Sequence, residues 1–223
     1  MKRIALILLV CCGVASCIQM TRVDYSSFIQ RYNSYSSVLT VEQFQSISHE
    51  PLSLAVSINP CVPSYSIISE GDDKDKYDAL CIQNGDCSYP NTVKYLSGAG
   101  AMDLISCVTP DFIRIDVIAD KDFDKEHPAG TSLADLVYAY MDCYRRFVDS
   151  GYDKSLEGKK LYKRLDQIEE EDISLCTGYY QLFFNVLPDD PSSEMTITVI
   201  SENAAGKTQT GSAKCKFNIN SLN

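Results

Sequence analysis

Apolar residues recur at every second position in several parts of the chain, which is the pattern of strands with one buried face. Turn-forming residues separate these segments, and Asn203–Gly206 is predicted to turn into the last strand. The predicted strands cover Leu52–Ile58, Phe112–Ala119, Tyr179–Leu187 and Met195–Ser201, with a last strand that ends near Phe217. Strand, turn and strand at this spacing indicate a mainly β fold, with the edge of a β-sandwich at the C-terminus.

Two segments have helical spacing instead. Ser132 is a candidate helix cap with Asp135 three residues later, and Ser155–Glu171 has a weaker pattern that Gly158 interrupts. The apolar positions of the first segment are Leu133, Leu136, Val137, Tyr140, Tyr144 and Phe147. We therefore predict a helical or irregular insertion in the sandwich around residues 131–172.

Two further segments have no sustained period. Residues 18–50 are rich in Ser, Tyr and Gln and are predicted to form a tether that docks onto the domain. The charged run Glu70–Asp78 is predicted to be a solvated loop. The predicted division is a signal peptide at 1–16, a lipidated N-terminus and tether at 17–50, and a β-sandwich domain at 51–223.

The first 17 residues have the order of a secretory signal. Lys2 and Arg3 precede the short apolar core Ile4–Val10, which is too short to span a bilayer. Val14–Cys17 reads Val-Ala-Ser-Cys and resembles a bacterial lipobox, in which the cysteine thiol receives a diacylglycerol and a peptidase cuts before it. We predict lipidation at Cys17 and a lipid-anchored place in the bacterial cell envelope, with the outer membrane preferred to the inner. The alternative is an ordinary cleaved signal with an incidental cysteine.

The composition excludes some partners. The formal net charge is -10, whereas nucleic-acid binding requires a basic surface, and anionic headgroups would repel such a chain. Membrane attachment is therefore expected through the lipid anchor alone. The chain has no Trp, which weakens the case for carbohydrate binding, but its 14 Tyr keep that case open.

Seven cysteines follow Cys17, and an oxidising envelope favours disulfides among them. An odd number leaves at least one thiol free or paired between molecules. Cys81 and Cys87 flank the turn dipeptide Asn84-Gly85, so a local disulfide between them is one prediction. The candidate disulfide cysteines are Cys61, Cys81, Cys87, Cys107, Cys143, Cys176 and Cys215. The chain has no CxxC and two His, which argues against a zinc site.

One ordered set of segments has a recognisable pattern: Cys107, Phe112–Ala119, Asp122–Gly130, Ser132–Leu136 and Tyr144–Phe147. This pattern resembles a group of uncharacterised cell-envelope lipoproteins from Bacteroides and related bacteria. The resemblance extends over about Leu52–Phe217 and implies an exported, lipid-anchored, mainly β domain of immunoglobulin-like type. It implies strand and loop, not helix, at residues 133–147. It provides no activity and no catalytic residues.

Asp120, Asp122 and Asp124 alternate as the oxygen ligands of a calcium loop do. Lys125 stands where such a loop requires Gly, and Thr131 where it requires a bidentate Glu, so we expect no metal site. A weaker version of the same pattern consists of Asp72, Asp73, Asp75 and Asp78. No cofactor is expected, because Gly98-Ala99-Gly100 lacks the context of a dinucleotide loop.

The sequence marks out no catalytic group. His127 precedes Pro128 and is predicted to hydrogen-bond locally in a turn, since no GxSxG nucleophile motif accompanies it. Tyr138, Tyr140 and Tyr144 are either a binding face or part of a core element. We therefore predict a non-catalytic binding or assembly module for an unknown protein or glycan, which would use the loops at Glu70–Asp78 and Asp120–Gly130.

The alternative is an envelope hydrolase that acts on glycans. Such an enzyme needs two facing carboxyl groups, at least one of them with a raised pKa, in a pocket. A flat, exposed apolar patch would instead favour the binding module.

Overall fold

The computed structural model describes residues 21–44, 50–90, 92–96 and 104–218, with the backbone alone at 21–24, 35–38, 59–63 and 92–96. The predicted signal peptide and Cys17 lie outside these residues. The strands are β1 Thr21–Tyr25, β2 Arg31–Phe44, β3 Leu52–Ser66, β4 Thr92–Leu96, β5 Ser106–Thr109, β6 Phe112–Ala119, β7 Val137–Cys143, β8 Leu161–Arg164, β9 Cys176–Phe184, β10 Met195–Asn203 and β11 Thr208–Cys215. The helices are α1 Asp72–Gln83 and α2 Arg145–Asp149, with 3-10 turns at Leu165–Gln167 and Glu170–Ile173.

The predicted mainly β class is confirmed. Six strands form one sheet in the order β5-β2-β3-β9-β7-β8, in which β2 and β5 are parallel and the other pairs are antiparallel. Three antiparallel strands form a second sheet in the order β11-β10-β6, and β1 pairs with β4. The immunoglobulin-like character of this arrangement stays a prediction.

The main core lies between the six-stranded and the three-stranded sheet. Leu54 and Leu182 from the larger sheet belong to one fully buried cluster with Val117 and Val199 from the smaller sheet. β10 alternates buried and half-buried residues along its whole length, as its sequence pattern predicts. Each such aliphatic side chain stabilises the fold by about 1.5–3 kcal/mol relative to an exposed one.

A second core lies where α1 and α2 pack near the start of β2. Phe28, Ile29 and Tyr32 are buried there with Tyr77 of α1 and Phe147 of α2. The ring of Phe28 lies 4.7 Å from that of Phe147 in an edge-to-face arrangement, which aromatic pairs prefer. This core packs both helices against the start of β2.

The tether prediction is wrong for residues 31–44, which form β2 inside the six-stranded sheet. Leu39 and Val41 of β2 are buried in the main core, whereas Thr40 and Glu42 face outward. The Ser, Tyr and Gln residues around them conceal this alternation in the sequence.

The predicted helix at 133–147 is also wrong. Val137, Ala139 and Met141 are buried alternately and make β7, and the helix that follows is the short α2. The helical spacing was accidental, because Ala139 and Met141 complete a period-2 pattern. The hydroxyl of Ser132 caps no helix and donates a hydrogen bond to Asp116 over 2.6 Å. Residues 131–172 therefore add β7 and β8 to the sheet.

The charged run at 70–78 is the start of α1 and not a solvated loop. Asp72, Asp73 and Asp75 lie in the first turn, where negative charge favours the helix dipole. Tyr77 and Cys81, four residues apart, make the buried face of the helix. The sequence pattern did not reveal this helix, because only two of its residues are buried.

The predicted disulfide between Cys81 and Cys87 does not form. Cys81 faces the second core from α1, whereas Cys87 is exposed after the helix ends, and both thiols are free. The disulfide in the described residues joins Cys143, at the end of β7, to Cys176, at the start of β9. Cys107 and Cys215 are free and buried, and the side chain of Cys61 is outside the described residues.

Candidate binding surface

Aromatic side chains cover the outer side of the six-stranded sheet. Since Tyr180 and Leu182 point into the main core, their neighbours Tyr179, Gln181 and Phe183 point outward. The same alternation turns Tyr138 and Tyr140 of β7 outward. We call this surface the aromatic face; it consists of Phe44, Tyr138, Tyr140, Tyr162, Tyr179 and Phe183.

The rings of the aromatic face follow one another across four strands. Phe44 lies 6.2 Å from Phe183, and Tyr140 lies 6.5 Å from Phe183 on the other side. Tyr162 continues the row 6.4 Å from Tyr140 and stacks on Tyr138 at 5.4 Å and 22°. Because cross-strand register fixes these positions, the row is preformed by the sheet.

The aromatic face is most open to solvent at Tyr162 of β8 and Tyr179 of β9. Tyr162 is 55% exposed and Tyr179 is 49% exposed. Phe183 is only 8% exposed, since Phe44 and Tyr140 pack on either side of it. The face therefore combines a packed base with two rings that are about half exposed to solvent.

A cavity of about 350 Å³ adjoins the aromatic face, between the end of β7, α2 and the loop that leads into β8. We call it the cationic pocket. Tyr144, Phe147, Leu156 and Tyr162 contribute its apolar wall. Its charged lining consists of Arg145, Arg146, Lys159, Lys160 and Lys163, against Glu171 and Asp172.

Asp172 is held by two of these cations. Its carboxylate, 3% exposed, accepts hydrogen bonds from Arg146 over 2.5 Å and from Lys163 over 2.6 Å. Burial alone would raise its pKa, but the Lys163 ammonium, the Glu169 amide and the Arg146 charge hold the pKa below its ordinary value. Asp172 is thus ionised at neutral pH, and both of its carboxylate oxygens are bonded to cations.

The lysines at the mouth of the pocket are less constrained. Lys160 donates to Asp142 over 3.1 Å, which raises the Lys160 pKa, and its Nζ lies 5.2 Å from the ring centre of Tyr140. Lys159 is exposed and forms no salt bridge within the described residues. Because Tyr162 belongs to both features and Lys160 of the pocket lies over Tyr140, the cationic pocket and the aromatic face adjoin each other.

The disulfide braces this surface. Cys143 lines the cationic pocket and is bonded to Cys176 on the neighbouring strand, 33 residues later. Arg145 next to it donates to the carbonyl and side-chain oxygens of Asn84, each over 3.0 Å. The pocket is therefore fixed to the sheet on one side and to the end of α1 on the other.

The carboxylates of the acidic segment Asp120–Asp124 accept hydrogen bonds from backbone amides of other segments. Asp120 accepts from the amide of Thr196 over 2.7 Å, and this bond is the main cause of its lowered pKa. Asp122 accepts from the amide of Ala129 over 2.8 Å. Within the described part of the chain, no three His, Cys, Asp or Glu residues are grouped so that they could hold a metal ion.

His127 makes the local contacts expected of a turn histidine. Its Nδ1 lies 2.8 Å from Asp124 and its Nε2 lies 3.1 Å from Asp135. Burial lowers its pKa, but the hydrogen bond and charge of Asp124, together with Asp135, outweigh this and raise the pKa above its ordinary value. Two carboxylates thus hold the ring between them, with no nucleophile among these contacts.

The other acidic candidates are parts of the fold. Asp72, Asp73 and Asp75 lie in the first turn of α1, and Asp78 pairs with Lys74 one turn away. Among the predicted tyrosines, Tyr138 and Tyr140 lie on the aromatic face, whereas Tyr144 packs 5.3 Å from Phe28 in the second core and lines the cationic pocket.

Sequence reasoning missed Phe44, Tyr162 and Phe183, because their strands were assigned to a tether, to an insertion and to a core strand without an outer face. It also missed the cationic pocket. The doublets Arg145-Arg146 and Lys159-Lys160 in so acidic a chain were the available signal.

Asp86 is, within the described ranges, the carboxyl group whose pKa is raised, and burial is the main cause. It is 0% exposed. Its oxygens accept from the amides of Phe28 over 2.7 Å and Ile29 over 2.6 Å, and from the hydroxyl of Tyr152 over 2.9 Å. This carboxyl therefore anchors the chain that enters β2.

Among the residues that the structure describes, no helix has the length and apolar character needed to cross a membrane. The chain matches no family model, no curated protein and no solved structure.

Proposed function

We propose that this chain is a non-catalytic binding module of the bacterial cell envelope, anchored by a lipid on Cys17, that recognises a protein or glycan through the aromatic face. The observation that carries the proposal is the row of exposed and half-exposed aromatic rings on a sheet whose other side fills the main core.

An exposed aromatic surface lowers solubility, so its presence indicates a binding role. Single exposed aromatic residues are ordinary, but contiguous apolar patches mark sites of interaction. Tyrosine suits such sites, since its ring provides contact area and its hydroxyl remains solvated. The face needs no rearrangement to bind, because the β-ladder already fixes its rings.

The carboxyl groups argue against the alternative, a glycan hydrolase. A general acid needs a raised pKa and access to the glycosidic oxygen. Asp172 in the cationic pocket has a lowered pKa and is bonded to two cations. Asp86 has a raised pKa but is closed off by backbone amides. Neither residue fits the role.

The membrane anchor rests on the sequence Val14–Cys17. We expect a Cys17→Ala variant expressed in a bacterium to leave the membrane fraction, and the mature wild-type protein to carry the mass of a diacylglycerol. Stable attachment should follow, because two or more acyl chains suffice for it. A Cys17→Ala variant that remains membrane-bound, with no lipid on the wild type, would refute the anchor.

Binding is tested with full-length protein in detergent micelles against immobilised dextran, xylan, polygalacturonate and gelatin. The double variant Tyr138→Ala/Tyr162→Ala removes two stacked rings and should weaken retention at least about tenfold, as each ring contact contributes about 1 kcal/mol. Ile82→Ala is the matched control, since Ile82 is 71% exposed on α1 and away from the face. Equal retention by the double variant, or turnover of a glycan, would overturn the proposal.

A further inference from the structure

We propose that the ligand of this surface is an acidic glycan, whose carboxylate enters the cationic pocket while its sugar rings lie on the aromatic face. This inference rests on the proposed function and names the ligand class of the same site. It combines two independent observations, the charge of the pocket and the row of rings beside it.

The charge of the cationic pocket is opposite to that of the protein. The chain carries a formal net charge of -10, yet five of the seven charged side chains that line the pocket are cationic. Four of these cations pair with carboxylates: Arg146 and Lys163 with Asp172, Lys160 with Asp142 and Arg145 with Asp149. Lys159 is exposed and forms no salt bridge in the described ranges. A cluster of cations on an acidic protein raises the local positive potential and attracts anions.

The chemistry of the lining favours a carboxylate or another planar oxyanion. Lysine ammonium groups donate charge-assisted hydrogen bonds to such anions, and these bonds are stronger than neutral ones. Lys160 already pairs with Asp142 and lies over the ring of Tyr140. Lys159 is the cation that is free to contact a ligand at the mouth.

The size and the rings favour a sugar. A cavity of about 350 Å³ is at the lower end of the range for small-ligand sites and suits one or two sugar units. Tyr162 lines this cavity and also stacks on Tyr138, so a chain that leaves the pocket passes directly onto the rings. The apolar face of a pyranose can pack on such rings.

An acidic peptide fits less well. Sheets bind extended peptides by adding a strand at a free edge, and the edge beside the pocket, β8, offers only the four residues Leu161–Arg164. The exposed rings stand on the face of the sheet and not along that edge. The geometry therefore favours stacking of rings over pairing of backbones.

The test is calorimetric titration of the full-length protein with matched pairs of oligosaccharides. Trigalacturonate is compared with galactotriose, a pair that differs in the carboxylates, and sialyllactose with lactose, a pair that differs by one acidic sugar unit. We expect an acidic member to bind at least about tenfold more tightly than its neutral counterpart at low salt. The difference should shrink at about 0.5 M NaCl, since salt screens exposed charges.

The variant Lys159→Gln/Lys160→Gln should weaken binding of the acidic sugar by about tenfold or more. Both lysines are exposed, so the fold should persist, and a circular dichroism melt verifies this. Lys207→Gln is the control with the same chemistry, because Lys207 is exposed in the β10–β11 turn of the other sheet. It should bind as the wild type does.

The outcomes separate the two proposals. Equal affinity for acidic and neutral sugars, lost in the tyrosine double variant, overturns the acidic ligand and leaves the binding module standing. Binding of neither acidic sugar also overturns the acidic ligand. Tighter binding of a glutamate-rich peptide or of inorganic phosphate, each tested in competition, assigns the pocket to that anion instead. Binding unaffected by removal of the tyrosines refutes the proposed function itself.

Discussion

Removal of the Asp86 carboxylate should destabilise the fold more than any exposed substitution near it. Asp86 is 0% exposed and accepts three hydrogen bonds, two from backbone amides of Phe28 and Ile29 and one from Tyr152. In Asp86→Ala these buried donors lose their acceptor. The segment that leads into β2 then loses its anchor.

The magnitude follows from the number of bonds and from the cost of burying the charge. Hydrogen bonds to a charged group contribute about 1.5–3 kcal/mol each. Burial raises the pKa of Asp86, so part of that gain already offsets the cost of desolvating the carboxylate. We therefore expect Asp86→Ala to lower the free energy of unfolding by about 3 kcal/mol, within the range for a broken buried ionic contact.

The assay is urea unfolding monitored by circular dichroism, with the disulfide intact. Tyr152→Phe removes one of the three bonds and should cost about 1 kcal/mol. Asp78→Ala is the control, since Asp78 is half exposed and pairs only with Lys74 on the same helix, a contact of about 0.3–0.5 kcal/mol. A loss below about 1 kcal/mol for Asp86→Ala, or one equal to that of Tyr152→Phe, would refute the argument.

Three further predictions concern other parts of the molecule. Although burial lowers the pKa of His127, two neighbouring aspartates hold it above the unfolded value, so its stabilisation is full below about pH 6.5 and lost as the pH rises through the folded pKa. His127→Gln should therefore lower the calorimetric melting temperature more at pH 5.5 than at pH 8.5, and an equal loss at both would contradict this. In the folded protein, iodoacetamide should modify Cys87 quickly, whereas mass spectrometry should find the buried thiols modified only after unfolding: Cys81, Cys107 and Cys215. Gly211→Ala should cost about 1–3 kcal/mol in urea, because its Cβ would lie 2.3 Å from the carbonyl oxygen of Leu39, whereas Thr210→Ala at the exposed neighbouring position of β11 should cost far less.

Period-2 alternation was sufficient to predict the strands that face one core and carry polar residues outside. Phe112–Ala119 and Met195–Asn203 follow that pattern with few exceptions, and the structure confirms both as β6 and β10. The turn at Asn203–Gly206 was also predicted from the sequence. In the structure Gly206 has a positive φ of 73°, which glycine adopts without strain. In these segments local pattern and tertiary environment agree.

Local pattern was misleading where a strand has apolar or aromatic residues on both sides. In β7, Val137 and Met141 face the core while Tyr138 and Tyr140 face outward, so nearly every position is apolar and a helical period can be drawn through it. In β2 the opposite holds, because small polar residues surround Leu39 and Val41. The side of the sheet on which each residue lies is determined by strand pairing, of β2 with β3 and of β7 with β9.

The candidate site was beyond sequence reasoning for the same reason. Phe44, Tyr140, Tyr162 and Phe183 come from four strands that are far apart in the chain, and their rings meet only through the strand order of the sheet. Composition had shown that tyrosine is abundant and that the chain is acidic. The sequence by itself determined the period of the strands, which is a local property, and predicted an export signal. The tertiary structure alone decided which side of the sheet is covered, and that depends on long-range pairing.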